Sequence, residues 1–102
     1  MISVIATIKI PEGRRGDFLA EFAKIVPAVR AEQGCIEYGA WVDLPTNIEI
    51  QPDERKDTVV CIEKWEGVEA LEAHLIAPHM VEFRKAIDGL RVDIGLEILD
   101  EA

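Results

Sequence analysis

The chain has 102 residues, of which 49% are hydrophobic and 30% are charged, a composition typical of one globular domain spanning residues 1–102. Eleven lysines and arginines stand against 20 aspartates and glutamates, so the net charge is −9. An acidic surface gains nothing from a nucleic-acid backbone or an anionic membrane, and neither is expected as a partner.

The amino-terminal segment has the pattern of a strand rather than of a targeting segment. It alternates apolar and polar residues and lacks the basic region of a signal peptide. No apolar run in the chain approaches the roughly 20 residues that a membrane-spanning helix needs. We therefore expect a cytoplasmic protein.

The first third of the chain predicts a strand followed by a helix. Residues 2–10 alternate with period two, as a half-buried strand does. Residues 16–33 then carry apolar side chains at helical spacing, and Gly34 is a suitable helix stop. Pro27 predicts either a kink or a division into two shorter helices. The apolar helical positions are Phe18, Phe22, Ile25, Val26 and Val29.

The middle of the chain predicts a hairpin and two short helices. Residues 35–42 and 58–65 are rich in strand formers, and the polar segment 43–57 between them predicts a long hairpin with a mobile tip. Residues 67–76 and 78–87 follow as short helices. Their predicted inner faces are formed by Ala70, Leu71 and Leu75 and by Met80, Phe83 and Ile87.

A last alternating segment, residues 92–98, completes the order strand, helix, strand, strand, helix pair, strand. Two split βαβ halves with right-handed connections give a ferredoxin-like α+β fold. We expect a four-stranded antiparallel sheet with all helices on one face.

The reverse face of this sheet is predicted to be apolar. Two tryptophans on one face are more than a solvated surface needs, and such a patch is usually covered by a partner. We therefore expect a twofold homodimer, a dimeric α/β-barrel, in which two sheets pack face to face. The predicted reverse-face residues are Ile5, Gly39, Trp41, Cys61, Trp65, Gly95 and Leu99.

The two cysteines are predicted to be free. In a simple hairpin, Cys35 lies opposite Trp65 and Cys61 lies opposite Gly39. The thiols are then too far apart along the ladder for a disulfide.

Two segments resemble a known family. Residues 59–80 contain Glu63 and Trp65 at a strand end, His74 on a helix and a Pro-His step into the next helix, while residues 30–43 contain a Gly-Cys pair and a tyrosine. These features resemble the antibiotic biosynthesis monooxygenase family of dimeric α/β-barrel proteins, and with the first strand the resemblance covers nearly the whole chain. The family includes quinol and polyketide oxygenases without metal or flavin, haem-degrading enzymes and isomerases of small signalling molecules.

The resemblance implies a cofactor-independent monooxygenase that oxidises a small phenolic or quinol-type aromatic compound with O₂. An apolar pocket between the sheet and the helices would hold the substrate. By the same resemblance, Trp65 is a pocket residue whose indole N–H donates to a substrate carbonyl. Packing in the core or in the dimer interface is the alternative for Trp65.

His74 and His79 are the only histidines and stand on either side of a helix break. A phenolic substrate must lose a proton before it meets O₂, and imidazole suits that task near neutral pH. The start of the second helix would favour a neutral His79, and Tyr38 would assist the base. Alternatively, both histidines only pin the turn. Two histidines without a third ligand at suitable spacing predict no metal site.

Glu63 points to the same face as Trp65, since residues two apart on a strand share a face. Burial would let its carboxyl act as a base or hydrogen-bond partner, but the favoured alternative is an ion pair with Lys or Arg across the dimer. Phe83 and Arg84 are further candidates for substrate binding. Arg91 is a candidate for the pocket rim, and surface salt bridges are the default for both arginines.

No cofactor is expected. Haem degradation in the family relies on an asparagine of the first strand, and the only asparagine here, Asn47, lies in the hairpin. No nucleotide-binding loop is present either. Two other functions stay open: a non-catalytic, dimeric small-molecule-binding or stress-associated protein, and an isomerase of a small hydroxyketone, which needs a basic pocket. An open pocket with a neutral histidine would favour the oxygenase.

Overall fold

The computed structural model describes residues 1–102 and shows a four-stranded antiparallel sheet in the order β2-β3-β1-β4 with three helices. This arrangement confirms the predicted ferredoxin-like α+β fold. No helix has the length and apolar character to cross a membrane. The elements are β1 (Ile2–Lys9), α1 (Arg15–Arg30), β2 (Cys35–Trp41), β3 (Thr58–Trp65), α2 (Val68–Leu75), α3 (Pro78–Ile87), a 3-10 turn (Asp88–Leu90) and β4 (Asp93–Leu99).

The core lies between one face of the sheet and the helices. Alternation along β1 and β3 sends every second side chain into this layer, and α1 and α3 contribute the stripes that helical spacing predicts. α2 differs from the prediction, because it buries Leu71 and His74 while Leu75 is 39% exposed. The buried strand residues are Val4, Ala6, Ile8, Tyr38, Val59, Cys61, Glu63 and Trp65, and the buried residues of α1 and α3 are Phe18, Phe22, Ile25, Val29, Met80, Phe83 and Ile87.

Pro27 lies inside one continuous helix, so the alternative of two shorter helices is wrong. The residue stands in the last turn of α1, where its missing N–H removes a single intrahelical bond. Its carbonyl still accepts from the N–H of Ala31 at 3.2 Å. The helix ends at Arg30, four residues before Gly34.

Gly34 closes the turn between α1 and β2. Its backbone adopts φ of +86°, and a Cβ at this position would lie 2.6 Å from the Cβ of Ala70 on α2. Both observations require glycine. The carbonyl of Gly34 accepts from the N–H of Glu66 at 2.8 Å, so this turn is fixed directly against the start of α2.

A β-bulge changes the predicted hairpin register. Cys35 lies opposite Trp65 as predicted, but the ladder is interrupted between Cys35 and Glu37, so Cys61 faces Ala40 rather than Gly39. One extra residue moves every later side chain of β2 to the other face relative to β3. Both cysteines are free.

Because of this bulge, the residues on the reverse face differ from the predicted ones. Cys61 and Trp65 do not belong to it, because both lie under the helices. Of the two tryptophans, only Trp41 is on the reverse face, where it is 57% exposed. The other apolar side chains of this face come from alternate positions on β1, β3 and β4. They are Ile5, Val60, Ile62 and Leu99.

The connection between β2 and β3 is tied together at its base. Arg55 donates from Nε and a terminal nitrogen to the two carboxylate oxygens of Asp43, at 2.9 and 2.8 Å. These bonds lower the pKa of Asp43 to about 2. Further out, Gln51 donates to the carbonyl of Leu44 at 2.7 Å. The mobility of the tip stays a prediction.

Candidate active site

A small apolar cavity lies between the helix-covered face of the sheet and helices α1 and α3. Its volume is about 200 Å³, and 12 of its 15 lining residues are hydrophobic. The other three are Glu63, His74 and Arg84. Ile94 and Leu96 line the cavity yet are about half exposed, so its mouth lies beside the edge strand β4.

A larger depression, of about 720 Å³, covers the start of α2 but is a weaker candidate. Only three of its eight lining residues are hydrophobic, and it contains no histidine, cysteine, tyrosine or arginine. Ligand sites combine an apolar lining with a few converging polar groups. The 200 Å³ cavity has that character, and we take it as the candidate active site.

Glu32 fixes the ring of His74. Oε2 of Glu32, in the turn after α1, lies 2.8 Å from Nδ1 of His74 in the last turn of α2. The same oxygen lies 2.8 Å from Nε2 of His79, the second residue of α3. An ionised carboxylate only accepts hydrogen bonds, so each nitrogen that faces it carries a proton. In neutral His74 the proton is therefore on Nδ1, and Nε2 has a free lone pair.

The Nε2 atom of His74 has no hydrogen-bond partner in the protein. The His74 side chain is only 3% exposed and lines the cavity. Nε2 makes no hydrogen bond to the protein, yet no fully buried side-chain nitrogen or oxygen in the chain lacks a partner. Nε2 is therefore not fully enclosed by protein, and His74 is one of the residues that line the cavity.

Aromatic side chains hold the imidazole in place. The rings of Trp65 and His74 have centroids 4.7 Å apart, and those of Tyr38 and His74 are 5.5 Å apart in an edge-on arrangement. Phe22 stacks on Tyr38 at 5.4 Å. The orientation of His74 is thus set from both sides, by packing and by the Glu32 hydrogen bond.

Glu63 is buried beside the cavity and does not form the predicted ion pair across a dimer. The residue is 5% exposed, has no Lys or Arg partner, and accepts from the indole Nε1 of Trp65 at 2.9 Å. Burial raises the pKa of Glu63, although the Trp65 hydrogen bond and His74 oppose the shift. The favoured interfacial role is therefore wrong, because the alternation of β3 turns Glu63 toward the helices.

Trp65 stands behind the cavity wall. It is 0% exposed, is not a lining residue, and uses its only N–H on Glu63. Its predicted contact with a substrate carbonyl stays a prediction that this arrangement does not support. Packing in the core, the alternative considered for Trp65, agrees with its position.

Tyr38 and Cys61 line the cavity as neutral groups. Burial raises the pKa of the Tyr38 phenol and of the Cys61 thiol well above their ordinary values. A thiol that stays protonated is a poor nucleophile, so Cys61 contributes volume rather than covalent chemistry. The Tyr38 hydroxyl keeps its proton and lies next to the Cys61 thiol.

The remaining predicted site residues divide between the cavity and its surroundings. Phe83 and Arg84 both line the cavity, and Arg84 donates to the carbonyl of Leu75 at 2.8 Å. His79 lies outside, with its side chain 27% exposed on the far side of Glu32. Arg91 does not line the cavity. Glu32 was not predicted, since 42 residues separate it from His74.

Comparisons with known proteins agree with this architecture. The family model described as antibiotic biosynthesis monooxygenase matches residues 1–86. The Escherichia coli K12 protein named Probable quinol monooxygenase YgiN is 40% identical over 101 residues, which cover 97% of this chain and 96% of that protein.

Solved structures show the same fold. PA3566 from Pseudomonas aeruginosa superposes with a TM-score of 0.75 at 26% identity, covering 99% of this chain and 94% of that one. Rv0793 from Mycobacterium tuberculosis superposes with a TM-score of 0.78 at 20% identity, with coverage of 99% and 94%. By sequence and by fold, the chain belongs to the antibiotic biosynthesis monooxygenase family.

Proposed function

We propose that this protein is a monooxygenase that uses O₂ to oxidise a small phenolic or quinol-type aromatic compound without a bound cofactor. Family membership and the 40% identity to a protein named as a quinol monooxygenase support the reaction class. One observation carries the mechanism: the ring of His74 lines an apolar cavity, its Nε2 has no protein partner, and its Nδ1 is bonded to the partly buried Glu32.

The cavity limits the size of the substrate. An apolar cavity of about 150 Å³ already accommodates benzene. A volume of about 200 Å³ therefore fits one substituted aromatic ring, with any further ring extending through the mouth beside β4. The rings of Phe22, Tyr38 and Phe83 provide faces and edges for aromatic packing.

His74 is the proposed base. Its Nε2 accepts a proton from a substrate hydroxyl, and the resulting imidazolium is stabilised by Glu32 at Nδ1. The electron-rich substrate anion passes one electron to O₂, and the two radicals combine to form a C–O bond. Cleavage of the O–O bond then gives a hydroxyquinone and water, with one proton supplied by His74. One quinol and one O₂ give one hydroxyquinone and one water. All four electrons that reduce O₂ come from the quinol.

The other polar groups are proposed to position the substrate. Because burial favours its protonated form, the Glu63 carboxyl can donate to a substrate oxygen through the oxygen that Trp65 does not occupy. The neutral Tyr38 hydroxyl offers a second donor. Arg84, at the edge of the cavity, would interact with an anionic substituent near the mouth.

The reverse face supports the proposal of a homodimer. Residues 1–102 would act as one domain, and two copies would bury Ile5, Trp41, Val60 and Ile62 by packing sheet against sheet. Both cysteines are free, which agrees with a proposed location in the cytoplasm.

The decisive experiment is O₂ uptake by metal-free protein with a panel of 1,4-quinols and anthrone-like phenols. We expect uptake with at least one compound, one water formed for each O₂ consumed, and a rate that falls by about a hundredfold or more in His74→Asn. Glu72→Gln is the matched control, because this exposed residue of α2 touches neither the cavity nor His74.

Other outcomes would redirect the proposal. Full activity in His74→Asn would remove the assigned base while leaving the reaction in place. Tight binding of several panel compounds without O₂ uptake would favour the non-catalytic binding protein. An isomerase needs a basic pocket, and this cavity contains a single permanent cation, Arg84.

A further inference from the structure

The three side chains behind the cavity form a group with the chemistry of a metal site. Glu32 Oε2, His74 Nδ1 and His79 Nε2 all lie within 4.8 Å of one another. They come from the turn after α1, the end of α2 and the start of α3, so no short spacing in the sequence reveals them. The sequence spacing showed no third ligand beside the two histidines. In the structure Glu32 supplies it.

We propose that Glu32, His74 and His79 bind one divalent ion of the late first-row transition metals, and Zn²⁺ is the ion to test first. Two imidazole nitrogens and one carboxylate oxygen are an established donor set for Zn²⁺, with a fourth position left for water. Tetrahedral Zn²⁺ with bonds of about 2.1 Å places its ligand atoms about 3.4 Å apart. The two 2.8 Å contacts would therefore open by about 0.6 Å on binding.

The backbone around the three ligands is already fixed. The Glu32 N–H bonds to the carbonyl of Val29 at 3.0 Å, and the Glu32 carbonyl accepts from Cys35 at 3.2 Å. The carbonyl of His74 accepts from Ala77 at 3.1 Å, which holds the short link between α2 and α3. Little chain entropy is therefore lost on binding. His79, with 27% of its side chain exposed, gives a metal ion access from solvent.

A metal ion at this position would act on the proposed base. An imidazole that coordinates through Nδ1 and stays neutral carries its proton on Nε2, the nitrogen that has no protein partner. His74 would then present an N–H instead of a lone pair and could not accept a substrate proton. The metal is thus expected to inhibit turnover. This consequence rests on the proposed function, whereas the metal site itself does not.

Binding is tested on the untagged, metal-free chain by calorimetric titration with ZnCl₂ and by visible absorption with CoCl₂. We expect one ion per chain and the d–d bands of four-coordinate Co²⁺. Glu32→Gln and His79→Asn should each weaken Zn²⁺ binding by about tenfold or more, while Glu72→Gln should leave it unchanged. His79 is partly exposed, so His79→Asn should keep the fold, which circular dichroism checks.

Absence of saturable Zn²⁺ binding, or equal affinity in wild type, Glu32→Gln and His79→Asn, would overturn the metal site. The ratio of O₂ uptake with and without Zn²⁺ then tests the consequence, using a 1,4-quinol that cannot chelate the ion. A ratio well below one in wild type and close to one in His79→Asn supports inhibition through His74. Binding at the cluster with an unchanged ratio would keep the metal site and contradict His74 as the base.

Discussion

The two tryptophans show how differently the two faces of the sheet are used. Trp65, under the helices, is 0% exposed and donates its N–H to the buried Glu63, whereas Trp41, on the open face, is 57% exposed. Tyr38 also lies on the covered face and His74 packs against it from α2, whereas the open face mixes apolar side chains such as Ile62 with charged ones such as Lys64. The comparison teaches that groups suited to chemistry lie under the helices, while the open face provides contact area.

The polar groups of the covered face are tolerated because each has a partner. A buried polar group without one costs about 1–3 kcal/mol. Glu63 has Trp65, and His74 has Glu32. The Glu32 bond also leaves Nε2 of His74 without a protein partner, so the bond that satisfies the buried ring also fixes its orientation.

Among changes that leave the cavity lining intact, the largest expected effect concerns Glu32, which supports His74 from outside the cavity. Glu32→Gln keeps the size of the side chain but removes the charge that stabilises an imidazolium at His74 and fixes its tautomer. We expect kcat for quinol oxidation to fall by roughly a hundredfold with little change in KM. Steady-state O₂ uptake measures both constants. An undiminished kcat would mean that the Glu32 bond is structural only.

The two tryptophans should differ in stability when each is replaced by phenylalanine. Trp65→Phe leaves a buried Glu63 oxygen without its donor and opens a small cavity, which should lower the free energy of unfolding by about 2–3 kcal/mol. Trp41→Phe should cost less than about 1 kcal/mol. Urea denaturation followed by circular dichroism, at one protein concentration, compares them. Equal losses would contradict the contrast between the faces.

A charge on the open face should act on assembly instead. Trp41→Asp places a carboxylate in the proposed sheet-to-sheet interface, and we expect the dissociation constant of the dimer to rise by about tenfold or more. Sedimentation velocity over a range of concentrations measures it. The control is Ile50→Asp, since Ile50 is an exposed apolar residue of the connecting segment. A wild-type chain that is monomeric at every concentration would refute the dimer.

The smallest of these effects concerns the buried charge of Glu63. Its pKa is raised on folding because burial disfavours the carboxylate, so the unfolded chain holds this proton less tightly. Its contribution to stability is therefore full below the ordinary value of 4.5 and is lost as the pH rises through the raised pKa. Glu63→Gln should therefore be slightly more stable than wild type at pH 7, where the wild-type carboxyl loses this contribution.

Denaturant midpoints measured from acid to neutral pH provide the check on Glu63→Gln. The gain should shrink as the pH falls toward the ordinary carboxyl range, where wild type is protonated as well. A variant that is less stable than wild type at pH 7 would show that the carboxylate is needed, for example to balance a charged His74.

Much of the fold was predictable because its elements have clear periods. The alternation of β1 and the helical stripes of α1 and α3 leave little choice of element or buried face. β3 was harder, since Val59, Val60, Cys61 and Ile62 are all apolar and do not show which face is covered. The bulge after Cys35 then reversed the parity of the hairpin, which misplaced Trp65 and Cys61.

The site was predictable only in part. The candidates Tyr38, Glu63, His74, Phe83 and Arg84 all line one cavity, although the predicted strand parity put Glu63 on the reverse face with Trp65. The Glu32 contact could not be read from the sequence. It lies in a turn without periodicity, and its partners follow 42 and 47 residues later. The pairing of Arg55 with Asp43 was missed for a similar reason, since both stand in an irregular segment.

The contact between Trp65 and His74 also has a practical consequence. With ring centroids 4.7 Å apart, the indole is a built-in fluorophore beside the His74 imidazole. Trp65 is buried and Trp41 faces water, so the two indoles emit at different wavelengths. Events at the imidazole can therefore be followed by light emission from the unlabelled molecule, in real time and without a coupled assay.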